Sequence, residues 1–371
     1  MTFQYRLTGA ISAVALGVLS AGAAHAGGLE ANGYDWDLLF DSGTYAAKAS
    51  TSYVHVNHDL GNTTLDPSGS TVASSLDRVY FNVGAKGDLF DNASCLVSGQ
   101  NPWGSGTERT NLYAAQTGQA VREQLHSVDL GLTCAVGVEL GAGVVSVIGG
   151  VSAQQLRYEA DIPTSVSTST PLSIDGWGTG WRAGVAYEIE EYALRVSAIY
   201  NAAVDYNLEG TAFGGAASAD VTAPQTFEVK AQTGIAPGWL AMASVKWIDW
   251  STIQSLDVTT VGAPLSSDYS YRDGWTVSAG VGHQLTPDLT VLGRVTWDRG
   301  TSTPGAGGVL VAGSQTDRWG LALGAAYDAA EGVQFSGGVS LSTLAGGSNA
   351  AGESWDRGYV IAVSGGFKGT F

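Results

Sequence analysis

Charge is scarce in this chain, and basic charge scarcest. Only 14% of its 371 residues are Asp, Glu, Lys or Arg, well under the ~25% of an ordinary soluble domain. With 17 basic against 34 acidic residues the formal net charge is −17. That excludes a nucleic-acid partner, which requires a basic stripe to neutralise phosphate. Proline is limited to 9 residues and glycine follows no three-residue period, so collagen is excluded. No G-x-S-x-G elbow, H-E-x-x-H, P-loop or strand-to-helix G-x-G-x-x-G occurs, so no catalytic residue, cofactor or metal is assigned and an enzyme is not expected. Beyond residue 26 no run of ~18 apolar residues exists, so no transmembrane helix is expected. What is abundant is apolar surface (44%) and glycine (52 residues), a mixture unlike a disordered chain.

The first 26 residues read as a secretory signal. Arg6 gives the positive start, residues 7–19 the apolar stretch, and Ala24-His25-Ala26 the A-x-A cleavage site. From residue 43 onward the chain alternates apolar with small or polar residues, the period of a strand. Trp177, Trp181, Val185 and Tyr187 share one face, and Gly178, Gly180, Arg182 and Glu188 the other. Leu194, Val196 and Ala198 alternate with Arg195 and Ser197, and Trp319, Leu321, Leu323 and Tyr327 with Arg318, Gly320 and Asp328. The apolar faces begin and end in aromatics (Trp177 and Tyr187, Tyr192 and Tyr200, Trp319 and Tyr327), as at the two interfaces of a membrane barrel, and the charged faces suit its lumen.

Segments of this kind fall near 43–56, 77–87, 91–101, 123–138, 142–158, 175–189, 191–206, 223–234, 238–250, 269–285, 288–300, 315–328, 332–342 and 358–371. Short connections at 86–92, 139–141, 190, 235–238, 285–288 and 328–332 alternate with long ones such as 57–76, 101–122 and 207–222. An even strand number with short periplasmic turns and long outer loops predicts an all-β, antiparallel up-and-down transmembrane β-barrel of fourteen strands, spanning residues 43–371. Closure leaves no backbone group unpaired in lipid. Tyr359, Ile361, Val363, Phe367 and Phe371 alternate to a terminal Phe, similar to the C-terminal signal of Gram-negative outer-membrane proteins.

Cys95 and Cys134 fall on adjacent antiparallel strands with apolar-face parity. A cross-strand disulfide and two free lipid-facing thiols are both open. His55 and His58, near Asp59, are read as solvated loop residues rather than metal ligands.

Residues 81–109 (FNVGAKGDLFDNASCLVSGQNPWGSGTER) resemble the second and third strands of FadL-type outer-membrane transporters. Lys86-Gly87-Asp88-Leu89-Phe90-Asp91-Asn92 matches the family's K-x-D-L-x-D-N turn, and Gln100, Pro102, Trp103 and Gly104 its Q-P-aromatic-G motif with Asn101 inserted. Residues 223–229 resemble its L-P-x-x-x-E-V strand opening, and Trp247, Trp250 and Ser251 its W-x-x-W-S strand end. The resemblance implies passive uptake of hydrophobic compounds, such as long-chain fatty acids or aromatic hydrocarbons, by a monomeric barrel among outer-membrane lipid and lipopolysaccharide. It also implies an N-terminal hatch inside the barrel. Residues 27–42 are short for one and lack the family's Asn-Pro-Ala, so a reduced hatch would be built around Leu38, Leu39 and Phe40. An interruption of the third strand, implied by the resemblance as a lateral opening, is placed at Gly99 and Pro102, since Pro cannot donate to a ladder and Gly weakens one; a plain loop start at Gly99 is the alternative. Trp103, Leu112, Tyr113 and Val121 are the expected capture residues. The lumen-facing Arg78, Arg182, Arg195, Lys230, Lys246 and Arg294 would either attract a carboxylate headgroup or pair with Glu188, Glu228 and Asp298. The competing classes are a general diffusion porin for small polar solutes and a structural barrel.

Overall fold

A computed structural model of the chain describes residues 28–62, 64–66, 70–262 and 264–371; the signal sequence read at 1–26 lies outside the described residues. Fourteen strands form the wall: β1 Tyr45–Asn57, β2 Arg78–Phe90, β3 Ala93–Gln100, β4 Arg122–Leu140, β5 Gly143–Pro163, β6 Ser169–Ile189 and β7 Leu194–Asn201. The second half comprises β8 Thr226–Ala236, β9 Trp239–Ile248, β10 Gly274–Thr286, β11 Leu289–Asp298, β12 Arg318–Ala330, β13 Val333–Leu344 and β14 Gly358–Thr370. Each is antiparallel to the next, and β14 returns to β1 from Ala46↔Thr370 to Asn57↔Tyr359, closing the barrel.

The burial pattern says what covers the wall. On β12, Trp319, Leu321 and Leu323 are 60%, 52% and 55% exposed while Ala322 between them is 5% exposed. A soluble sandwich would bury that apolar stripe, so its cover is lipid. At ~3.3 Å per residue the 21-residue β5 and β6 are about 70 Å long, far more than a tilted strand needs to cross a ~25 Å apolar band. The surplus rises above the membrane as an outer rim.

Two expectations are corrected. The third strand ends at Gln100 and resumes as Gly104–Arg109 after a break, and Gly99 lies inside the intact ladder, paired to Val83 and Leu130. The long connection after β7 is not a loop but a hairpin, Val204–Ala212 with Gly215–Ala223, laid against the upper end of β6 from Glu209↔Asp175 to Ala212↔Leu172. Its inward crossing needs the glycine face of β6: a Cβ on Gly178 would lie 2.6 Å from Asp205 O. Connection 101–122 contains a helix, α1 Asn111–Thr117, capped by Thr110. Residues 28–44 enter the lumen, where Trp36, Leu38 and Leu39 are buried against Leu96, Ile148 and Ile199 of the wall.

Candidate functional site

A cavity of about 520 Å³ opens inside the outer half of the barrel. Leu125, Leu156, Leu208, Val221, Trp250 and Ile253 give it apolar walls, while Arg109, Glu123, Arg318 and Glu353 add polar points. One aromatic file enters it from Tyr34 of the N-terminal segment in edge-to-face steps, Tyr34–Trp103 (5.9 Å), Trp103–Trp250 (5.5 Å) and Trp250–Tyr271 (6.0 Å), ending in a stacked Tyr271–Tyr269 pair at 5.3 Å. Such ring pairs add to burial. Burial pushes the Tyr269 and Tyr271 hydroxyls up in pKa, so they remain neutral hydrogen-bonding groups.

Below the cavity the N-terminal segment is held by every lysine in the chain. Glu30 pairs with Lys246 at 2.7 Å, Asp35 with Lys48 at 2.8 Å, Asp37 with Lys230 at 3.2 Å and Asp41 with Lys368 at 2.6 Å. Lys86 donates to the Asp41 and Gly43 carbonyls at 2.9 and 2.6 Å. Cations also sit on its rings, Arg182 over Tyr34, Lys230 over Trp36 and Arg195 over Phe40. Gly33 takes the left-handed turn (φ 63°) this requires, and a Cβ there would lie 2.6 Å from Glu30 Oε1 and 2.9 Å from Lys246 Nζ.

The third element is the strand break. Where β3 stops, Asn101, Pro102 and Trp103 leave β2 and bend inward, and Leu29–Asn32 replaces β2 as their backbone partner. Ala31 N donates to Pro102 O at 2.9 Å, Asn32 N to Asn101 O at 3.1 Å and Gly104 N to Leu29 O at 2.8 Å. Trp103 is fixed from the other side, its N–H donating to Ser127 Oγ and its carbonyl accepting from the same hydroxyl, both at 2.8 Å. Gln100 ties the break to the plug: it accepts from Asp35 N at 2.9 Å and donates to Asp129, which Arg182 also contacts at 3.3 Å.

Of the expected capture residues, only Trp103 lines the cavity. Leu112 stands on the solvent face of α1, 51% exposed. Tyr113 is buried and donates to Glu353 at 2.7 Å. Val121 is bound through its backbone to Arg109 and Asp161. Tyr113 and Val121 brace the rim instead, and the short helix turns Leu112 and Tyr113 away from the cavity. The lumen cations are also redistributed. Lys230 and Lys246 bind the N-terminal acids rather than wall carboxylates, Arg182 meets Asp129, and Arg195 reaches Glu188 at 3.6 Å. Arg78 lines the cavity, and Arg294 faces Glu228 and Asp37. Leu38 and Leu39 are buried in the plug with Phe40 against them. Cys95 and Cys134 sit directly opposite each other and are disulfide-bonded. His55 lies on the outer wall, 2.8 Å from Asp77, while His58 faces the cavity; among the described residues no group of side chains suits a metal. Leu156, Leu208 and the plug acids escaped sequence reading, their partners being far away in the chain, and the strand-end motif that contains Trp250 gives it no place in the cavity.

A family model described as outer membrane protein transport protein (OMPP1/FadL/TodX) matches residues 82–351. The chain is 22% identical to the long-chain fatty acid transport protein of Salmonella typhi over 67% of its own length and 69% of that protein's. To the protein of the same name in Escherichia coli K12 it is 24% identical over 40% of the chain, and there it spans only 42% of the relative. Among solved structures it is similar to a Pseudomonas aeruginosa FadL homologue (TM-score 0.68, 15% identity, 89% of this chain and 91% of that one). The Pseudomonas putida toluene transporter TodX gives a TM-score of 0.67 at 13% identity over 98% of both chains. At such identities the structural likeness speaks for the fold.

Proposed function

The chain belongs to the outer membrane transport proteins of the OMPP1/FadL/TodX family, a β-barrel channel of the Gram-negative outer membrane and not an enzyme, and from that premise we propose that it takes up hydrophobic molecules, long-chain fatty acids or aromatic hydrocarbons, through its outer cavity and a lateral exit. The observation that carries the reading is the position of Trp103, which lines the cavity and at the same time lies in the break of the third strand. A solute held against the aromatic file is therefore already beside the one seam where β2 and the third strand lose their backbone ladder. Apolar walls supply capture, about 0.8 kcal/mol for each CH₂ removed from water. The plug below, with its buried ion pairs, stands across the axial route, which disfavours a general porin for polar solutes.

The test is equilibrium binding of a fluorescent long-chain fatty acid to the purified barrel in detergent, with toluene as a competitor, and conductance in planar bilayers. Saturable binding with little conductance is expected. Trp103→Ala should weaken binding about tenfold, some 1.4 kcal/mol, and Leu112→Ser should leave it unchanged. Large steady conductance without fatty-acid binding would refute the reading.

A further inference from the structure

Between Gln100 and Gly104 the third strand advances four positions while β4 advances three, from Asp129 to His126. One residue is surplus, as in a β-bulge. The main chain of 101–104 has turned inward onto Leu29–Asn32, which leaves Phe81 of β2 facing no peptide of the third strand. Asn101 replaces that peptide with its side chain, and Asn32 of the plug adds only a long contact, its Nδ2 3.5 Å from Phe81 O. Asn101 Oδ1 accepts from Phe81 N at 2.9 Å, and Asn101 Nδ2 donates to Ser127 O of β4 at 2.7 Å. A primary amide carries the donor and acceptor of a peptide unit, and here it stands in the plane of the wall, bonded to the strand on either side. Above it the Arg78 guanidinium and Tyr80 hydroxyl lie at 3.4 and 3.5 Å from Gly104 O, Arg78 also donating to Leu76 O at 3.2 Å, and the backbone ladder resumes where Leu76 N meets Gly106 O at 3.0 Å.

We propose that Asn101 is the latch of this seam: its carboxamide turns away from Phe81 and Ser127 by side-chain rotation, opening the wall to lipid while β2, β4 and the plug keep their places. The proposal rests on the lateral-exit reading above. Two hydrogen bonds hold the latch, whereas moving the plug breaks four carboxylate–lysine pairs. Rotamer change is also far faster than displacement of a strand. Asn101 has the outward parity of Val97 and Gly99 and is only half-buried, so the amide has room to leave. Phe81 lies three residues from the outer end of β2, where a released amide meets interfacial water.

The test uses the full barrel in liposomes, a fluorescent long-chain fatty acid, and hydrogen exchange at the Phe81 amide. Asn101→Ala is expected to keep the dissociation constant within about twofold, to speed transfer from the cavity into lipid about tenfold, and to deprotect Phe81. Asn101→Asp, which retains the acceptor for Phe81 and loses the donor to Ser127, should fall between. Phe81 deprotected with transfer unchanged would reduce Asn101 to a wall stitch and overturn the latch. Should Asn101→Ala fail to fold, judged by loss of heat-modifiable gel mobility, the wild type decides: saturating fatty acid should raise exchange at Phe81, and unchanged exchange overturns the proposal. Absence of fatty-acid binding by the wild type defeats the capture reading and the latch together; intact binding with unchanged transfer defeats the latch alone.

Discussion

His58 lies just beyond the outer end of β1, its Nε2 2.9 Å from Ser314 Oγ and its ring edge-on to Trp355 at 5.9 Å. Burial, with the nearby Arg318 cation acting in the same direction, pushes its pKa down to about 4 from an ordinary 6.5. Above pH 6.5 the imidazole is neutral whether the rim is closed or open, and its contribution is intact. Between pH 6.5 and 4 the open form takes up a proton that the closed form refuses, so closure loses up to about 3 kcal/mol as the pH falls. The contact joins residues 58–61 to the strand-poor connection 301–317, so the effect is a local loosening of the rim. Limited proteolysis of that rim should accelerate from pH 7.5 to 4.5 in the wild type. His58→Gln, which keeps a partner for Ser314 without a titrating group, should give a flat profile, and matching profiles would clear His58 of the role. Trp103 shows the same economy of means: one side chain serves wall, cavity and seam, so its substitution is expected to be felt in affinity first.

The N-terminal segment is an element without regular structure beyond the short turn Asp37–Phe40, and side chains position it. Its four acids each meet a lysine of a different strand, on β1, β8, β9 and β14. Removing one partner of a buried pair leaves a charge stranded, at a cost of about 3–5 kcal/mol in a dry interior and less in a polar lumen. Lys230→Met should therefore lower the thermal midpoint, and Asp37→Asn with Lys230→Met should recover most of the loss; additive losses in this double-mutant cycle would show that Lys230 and Asp37 do not act as a pair. This element was the least legible in the sequence. The strands were readable because period two needs only neighbours, and the order of fourteen emerged from residues such as Trp319, Leu321 and Leu323 alone. Lys230 and Lys246 were readable as lumen-facing by parity, but parity cannot name a partner some two hundred positions away, and the wall carboxylates were the nearer guess. Pro102 announced the broken strand; that Asn101 would fill the gap depended on a bulge, which shifts register without leaving a mark on composition. Leu112 and Tyr113 misled because a seven-residue helix turned them out of the lumen.

For the molecule as a whole, wall and plug are separable in their energetics. The barrel closes on its own backbone ladder from β1 round to β14, so replacing residues 28–41 by a Gly/Ser linker of equal length should leave a folded, heat-modifiable barrel. The lumen it leaves behind has an unusual charge. The chain carries a formal −17, and a barrel of that composition would be expected to pass cations. Yet all five lysines face inward, and the four acids that pair with Lys48, Lys230, Lys246 and Lys368 would be gone, with Lys86 keeping Asp88, while Arg182 and Arg195 would lose the Tyr34 and Phe40 rings that cover them. Lumen charges govern ion passage because the low-dielectric wall focuses their field, whereas rim charges are screened within about 8 Å at physiological salt. The replaced barrel should therefore show steady conductance where the wild type shows little, and its reversal potential in a KCl gradient should report anion preference, opposite in sign to the net charge. Conductance that stays at the wild-type level would mean that the hairpin 204–223 and the rim, not the N-terminal segment, occlude the barrel. Cation preference would mean that Asp129, Glu228 and Asp298 outweigh the freed lysines.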